Sequence, residues 1–248
     1  MKNILGPEQL EALRRLSTCS VSNAIETFDV RLRNAGFADA TIRCIFADFP
    51  PIVGYAATAR VRTSVPPMHG HNYFDRTDWW NAILRIPAPR VVVVEDVEKH
   101  PGLGSFVGEV HANILSALGC VAVVTNGAVR DLPQVRSTGF QFFAGKVAVS
   151  HAYAHVFQFG TPVEIGGLRI EPGDLLHGDQ HGILKVPLEI ASSIPTAARE
   201  LQEKEQRLIA ICRSAGFSLA RLRELFRGLN PEPKEENVSR IKEQGEIL

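Results

Sequence analysis

The chain has 248 residues, 45% of them hydrophobic and 22% charged, which is ordinary globular composition with enough apolar material for a large core. Lysine plus arginine and aspartate plus glutamate both number 27, so no basic excess exists to hold a phosphate backbone, and nucleic acid is not expected as a direct partner. Cys19, Cys44, Cys120 and Cys212 show no Cys-x-x-Cys spacing and read as reduced, small core residues. No signal-peptide run follows Met1, and no stretch approaches the roughly 20 apolar residues of a membrane span, so a cytoplasmic protein without a membrane partner is expected.

Pro7 opens a first helix with Leu10, Leu13 and Leu16 on one stripe, and Ser20 or Ser22 is expected to cap a second that runs through Ile25. Residues 52–63 alternate loosely and end at Pro66-Pro67, as a strand does before backbone that cannot pair. A loop at residues 68–71, holding His69 and His71, precedes a helix over 75–84 in which Trp79 and Trp80 are core or interface aromatics. After Pro87 and Pro89, the run Val91-Val92-Val93-Val94 reads as a strand buried on both faces.

Residues 107–118 are predicted helical, with Val110, Ile114, Leu115 and Leu118 inward, and residues 121–124 form the next buried strand. Strand, helix and strand in that order make a βαβ unit. Asn126-Gly127 then suggests a tight turn that presents backbone amides. Residues 132–137 form a short helix stopped at Gly139, followed by strands over 140–144 and 146–149. A hairpin bends through Gly166-Gly167, Pro172-Gly173-Asp174 makes a turn, and strands follow at 175–177 and 183–186. Pro195 starts a long helix to about Ser214 with Ala198, Leu201, Leu208 and Ile211 or Cys212 inward, residues 219–226 form another, and a polar arm begins at Asn230.

Glu109 and Asp131 lie 22 positions apart, room for one helix, one strand and a return to the same end of a sheet, where open α/β folds build their sites. Two such carboxylates suit a hard cation such as magnesium or manganese, which takes one or two carboxylates plus water and substrate. The competing assignment has Asp131 capping the helix that follows it and Glu109 complementing a helix dipole. Arg130 beside Asp131 is a natural clamp for a carboxylate, since its planar fork donates two parallel hydrogen bonds. His151 and His155 stand i, i+4 but lack the intervening glutamate of a zinc-protease helix, and His69 with His71 has no third ligand nearby in sequence. His177 and His181 read as structural. Lys185 alternates with apolar neighbours and is expected to face solvent, so no Schiff-base lysine is evident.

Gly108-Glu109, the apolar helix, the run from Val123 to Asp131 (Val-Val-Thr-Asn-Gly-Ala-Val-Arg-Asp) and the run from Pro172 to Pro187 together resemble the RraA-like family. That family includes the 4-hydroxy-4-methyl-2-oxoglutarate aldolases, also called HMG/CHA aldolases, and the regulator of ribonuclease activity A, which binds and inhibits an endonuclease. The resemblance implies a single-domain α-β-β-α sandwich, swivelling-domain-like, with a C-terminal helical extension. Residues 1–50 would be N-terminal helices packed on a core over 51–187, and residues 188–248 helices and an arm at a subunit interface.

The resemblance further implies a homotrimer or homohexamer with sites between subunits and a divalent metal, Mg2+ or Mn2+, on Asp131. Arg130 would contact the substrate, Glu109 would hold a metal-bound water, and Gly108, Asn126 and Gly127 would complete the substrate pocket. The implied activity is metal-dependent cleavage of a carbon–carbon bond in a small anionic 2-oxo acid, by aldol cleavage or decarboxylation through a pyruvate enolate. The ribonuclease regulator can lack the aspartate after the arginine, and the retained Asp131 favours the enzyme branch over a non-catalytic binding protein. The chain departs from the aldolase pattern at Gln134, where an acidic residue is common, and in the stretches around Lys146, 150–155 and 68–71. Glu200, Glu203 and Glu205 are the candidates for a carboxylate contributed across subunits.

Overall fold

The computed structural model describes residues 4–67 and 76–229. The loop expected at 68–71, with His69 and His71, the first residue of the helix expected over 75–84, and the arm from Asn230 lie outside the described residues. The chain divides after Ala198 into two compact units. In the first, two helices, α1 (Pro7–Arg14) and α2 (Thr18–Glu26), precede β1 (Arg43–Cys44), β2 (Ile52–Arg62), α3 (Arg76–Leu84), β3 (Arg90–Asp96), β4 (Ser105–Val107) and α4 (Glu109–Ala117). Then come β5 (Cys120–Val129), α5 (Leu132–Thr138), β6 (Gln141–Val147), β7 (His155–Phe159), β8 (Val163–Ile165), β9 (Leu168–Ile170), β10 (Leu175–Asp179) and β11 (Gly182–Val186). A long helix, α6 (Ile194–Arg213), starts in this unit with Ile194 and Ala198 buried; its remainder and α7 (Leu219–Leu229) form the second unit.

The main sheet runs β1-β6-β5-β3-β2-β10-β11, with β4 added to β5 and β7 to β2. Its centre, β2-β3-β5-β6, is parallel, while β10, β11, β1 and β7 pair antiparallel. The segment between α2 and β2 draws the two ends of this path together: Phe37 bridges Leu184 of β11, and Arg43–Cys44 pair with β6. The sheet is therefore nearly closed, the mixed α/β architecture that the sequence suggested.

The valine run behaves as a strand buried on both faces must. Val92 and Val94 join one core with Trp79 and Ile83 of α3, Ala112 and Leu115 of α4 and Val135 of α5. Val91 and Val93 point the other way, into a second core with Val163 and Ile165 of β8 and Leu168 and Ile170 of β9. Successive side chains alternate between faces, so each strand residue serves one core only.

Several boundaries differ from expectation, each for a physical reason. Ser17, not Ser20 or Ser22, caps α2, its hydroxyl accepting from the Ser20 amide at 3.1 Å. Asn126-Gly127 makes no turn: β5 runs through it to Val129, and the ladder with β6 only shifts register between Thr125 and Ala128. The paired strands expected over 140–149 are one strand, β6, which passes through Gly145. Val110 is not inward; Ala112 and Leu115 carry the buried face of α4 and Val110 is 71% exposed. Cys19 and Cys212 are exposed rather than core residues, whereas Cys120 is buried.

The N-terminal helices are tied to β10 by a buried polar chain. Thr18 donates its amide to Asp179 at 2.9 Å, and its hydroxyl lies 3.0 Å from His177 Nδ1, while His177 Nε2 lies 3.1 Å from the Leu13 carbonyl. A carbonyl only accepts, so Nε2 carries the proton and Nδ1 accepts from Thr18, fixing a neutral tautomer. Burial pushes the His177 pKa below its ordinary value, outweighing the upward pull of the Leu13 carbonyl and Asp179. The unfolded imidazole protonates below about pH 6.5 while the folded one resists. This contribution to stability is thus complete above that pH and declines as pH falls towards the lowered folded pKa. Urea denaturation between pH 7.5 and 5.5 should show stability falling with acidification, and His177→Gln should flatten the slope by up to about 1.4 kcal/mol per pH unit. An unchanged slope in the variant would contradict the assignment.

Candidate active site

Strand β4 lies parallel to the last residues of β5, Ser105 opposite Ala128 and Val107 opposite Val129. Both strands end side by side, and the Arg130 amide continues the pairing by donating to the Val107 carbonyl at 3.1 Å. Gly108 and then α4 follow β4, Asp131 and then α5 follow β5, and so two helix N-termini start from adjacent strand ends. Carboxyl ends of parallel strands are where α/β sheets place ligands.

The Asp131 carboxylate does not cap its own helix. Its Oδ2 accepts from the Glu109 amide at 3.0 Å, capping α4, and α5 has no side-chain cap from Asp131. Arg130 Nε stands 3.5 Å from the same oxygen, and both side chains are about one-third exposed. This packing requires glycine at 108: a Cβ there would lie 2.3 Å from Asp131 Oδ2 and 3.1 Å from Arg130 Nε. Asp131 also holds a left-handed backbone, φ 56° and ψ 41°, a conformation that aspartate and asparagine tolerate best among residues other than glycine.

Arg130, Asp131 and Gly108 open into a cavity of about 340 Å3. Trp79 of α3, Phe106 of β4, His111 of α4 and the stretch His151–Val156 complete its wall. That stretch is pinned to the fold by two backbone bonds, Ser105 amide to Ser150 carbonyl at 2.9 Å and Tyr153 amide to Thr63 carbonyl at 3.1 Å. Gly104 lets it approach, since a Cβ there would meet the His151 carbonyl oxygen at 2.6 Å. Among the described residues other than glycine, only Asp29, Asp131 and Ala152 have positive φ, and two of these three line this cavity. Such backbone outliers concentrate at ligand sites.

The structure therefore brings together Gly108, Arg130 and Asp131, with Glu109 adjacent through its backbone and its side chain exposed. Asn126 and Gly127 stand elsewhere. The Asn126 side-chain amide exchanges hydrogen bonds with the Asp96 backbone, accepting at 2.7 Å and donating at 3.0 Å, and so ties β5 to β3 beyond their last ladder pair. A Cβ at residue 127 would lie 3.1 Å from Asp96 Cβ. Asp96 is itself buried, which raises its carboxyl pKa against the amides of Gly102 and Glu98 that hold the charge. Lys146 donates to the Pro101 carbonyl at 2.6 Å, and Lys185 pairs with Asp174 at 3.2 Å; neither lines the cavity. His151 and His155 do line it, as does His111, which the sequence reading passed over. The signal for it is the short strand β4, which sets Phe106 at the same strand end from which α4 carries His111.

Capping and backbone strain make separable demands at residue 131. Asp131→Asn keeps both the acceptor for the Glu109 amide and the tolerance for positive φ, whereas Asp131→Ala loses both. We expect Asn to fold with nearly wild-type stability and Ala to lose about 1–3 kcal/mol in urea denaturation. Equal stabilities for the two variants would contradict the capping role.

The comparisons with known proteins bear on the same residues. A family model described as RraA-like, Aldolase/RraA, matches residues 18–184. The chain is 25% identical over 120 residues to a Halalkalibacterium halodurans protein provisionally named 4-hydroxy-4-methyl-2-oxoglutarate aldolase, a match covering 48% of this chain and 57% of that one. It is 27% identical over 106 residues to protein DlpA of Legionella pneumophila, covering 42% of this chain but 17% of that protein. The chain thus spans little more than half of one curated relative and a small part of the other. Among solved structures, a Pseudomonas syringae protein superposes with a TM-score of 0.68 at 22% identity, over 90% of this chain and 96% of that one. Streptomyces coelicolor RraAS2, described as an unusual member of the RNase ES inhibitor RraA protein family, superposes with a TM-score of 0.64 at 20% identity, over 82% of this chain and 96% of its own. At these identities the structural likeness is one of fold. Because the family model spans well over half of its length, the chain belongs to the RraA-like family, which covers both aldolases and RraA proteins.

Proposed function

We propose that the chain is a divalent-metal-dependent lyase that cleaves a carbon–carbon bond in a small 2-oxo acid, acting as a homotrimer or homohexamer. The observation that carries this reading is the corner at Gly108, where the absent side chain sets the Asp131 carboxylate and the Arg130 guanidinium side by side at the mouth of the cavity. The family's ribonuclease regulator can lack the aspartate after the arginine, so the retained Asp131 favours the aldolase branch.

The donor set suits magnesium or manganese. Among the described residues no three histidine, cysteine, aspartate or glutamate side chains converge as a cage. One exposed carboxylate, completed by water and substrate oxygens, is the habit of Mg2+ rather than of a structural zinc. Asp131 Oδ2 is engaged by the Glu109 amide, which orients the carboxylate towards such a role. When bound, the metal supplies a Lewis acid for the keto oxygen and carboxylate of the substrate.

The chain's own residues do the rest. Arg130 binds the carboxylate end of the substrate and offsets the negative charge that gathers there as the bond breaks. Glu109, exposed at the first turn of α4, holds the water that takes the proton of the substrate's 4-hydroxyl. The C3–C4 bond then breaks, its electrons pass to the keto oxygen, C4 departs as a carbonyl compound, and protonation at C3 gives pyruvate. Decarboxylation of a 4-carboxylate follows the same electron path with carbon dioxide leaving. No lysine lines the cavity among the described residues, so no Schiff base enters this scheme.

Pyruvate release from 4-hydroxy-2-oxo acids should vanish on chelation and return with Mg2+ or Mn2+, while borohydride added with substrate should leave it intact. Arg130→Lys keeps the charge but loses the fork, so it should retain Mn2+ binding by calorimetry and lose at least tenfold in kcat/KM. Activity that survives thorough chelation, or a kinetically silent Arg130→Lys, would sink the mechanism.

A further inference from the structure

We infer that the substrate's end remote from Arg130 is aromatic or otherwise apolar rather than a second carboxylate. This rests on the lyase reading and specifies it. The cavity, about 340 Å3, falls within the range of whole small-molecule sites and leaves room beyond a pyruvyl head held at Arg130 and Asp131.

That remaining room is walled by an aromatic run. The Trp79 and Phe106 rings lie 5.5 Å apart and tilted at 59°, and Phe106 and the His111 ring lie 5.1 Å apart at 30°. Tyr153 and Val156 face the same cavity. Arg130 is the sole lysine or arginine among the described residues that line it. A second carboxylate would have to leave water for this aromatic wall while Arg130 is occupied by the pyruvyl head.

Two imidazoles add polar atoms to this wall. His151 Nδ1 lies 2.8 Å from the Ala152 carbonyl and His155 Nδ1 lies 2.7 Å from the Tyr153 carbonyl. Carbonyls accept, so each Nδ1 carries a proton, which leaves each ring's Nε2 to meet a substrate oxygen.

The test uses the full-length protein with Mg2+ and paired compounds that share the 2-oxo acid head. Pyruvate release is compared for 4-hydroxy-2-oxo-4-phenylbutanoate and 4-hydroxy-4-methyl-2-oxoglutarate, and calorimetric binding for 2-oxo-4-phenylbutanoate and 2-oxoglutarate. The phenyl compound of each pair should be favoured at least tenfold, in kcat/KM and in Kd. Tyr153→Ala and Phe106→Leu should each shrink that ratio several-fold by weakening the phenyl member. Equal binding, or preference for the dicarboxylate, overturns the inference and leaves the lyase reading standing. Phenyl-selective binding without pyruvate release from either compound sinks the lyase reading while the apolar specificity holds.

Discussion

The site depends on one steric fact, the absence of a side chain at Gly108. Strand β4 and strand β5 end beside one another, and the room a Cβ would fill is taken by the Asp131 carboxylate, 2.3 Å from where that carbon would be. Through this gap the carboxylate reaches the Glu109 amide and caps a helix 22 residues upstream of it. The cap orients the carboxylate, the left-handed backbone at 131 turns the chain into α5, and Arg130 stands alongside. A helix terminus, a buried sheet and a prospective metal ligand thus share a single set of contacts, so that changes meant to probe chemistry also load the fold. Asparagine and alanine at 131 separate the two demands.

The centre of the fold was legible because its signals are local. Four consecutive valines can be buried on both faces only within a sheet covered twice, and the helix between 109 and 117 returns the chain to a parallel neighbour. The short strands were not legible. Strand β4 has three residues and no alternation to read, and β7, with all five residues only half-buried, takes its identity from pairing with β2. Asn126-Gly127 carries a strong local preference for turning, yet the sheet overrides it, and the Asn126 side chain ties β5 to Asp96 at the end of β3.

The candidate site divides the same way. Gly108, Glu109, Arg130 and Asp131 could be paired from spacing because one βαβ unit carries them all. The far wall could not, since Trp79, Phe106, His111 and His151 to Val156 meet only after β7 folds back along β2 and the intervening stretch docks on Thr63 and Ser105. His151 and His155 looked like a helical pair in sequence, but they belong to a turn and a strand edge, with each Nδ1 tied to a nearby carbonyl. Their spacing therefore says nothing about shared ligation. Among the described residues they place imidazoles beside aromatic rings, opposite the Arg130 guanidinium.

The central claim is that the corner formed by Gly108, Arg130 and Asp131 stabilises the enolate of pyruvate, whatever group leaves. That claim can be tested without the natural substrate by following exchange of the pyruvate methyl protons in D2O by proton NMR. The account predicts exchange well above the buffer rate with protein and Mg2+, abolished by chelator and by Asp131→Asn in a variant that remains folded. No protein-dependent exchange under any metal condition, or undiminished exchange in Asp131→Asn, would contradict it.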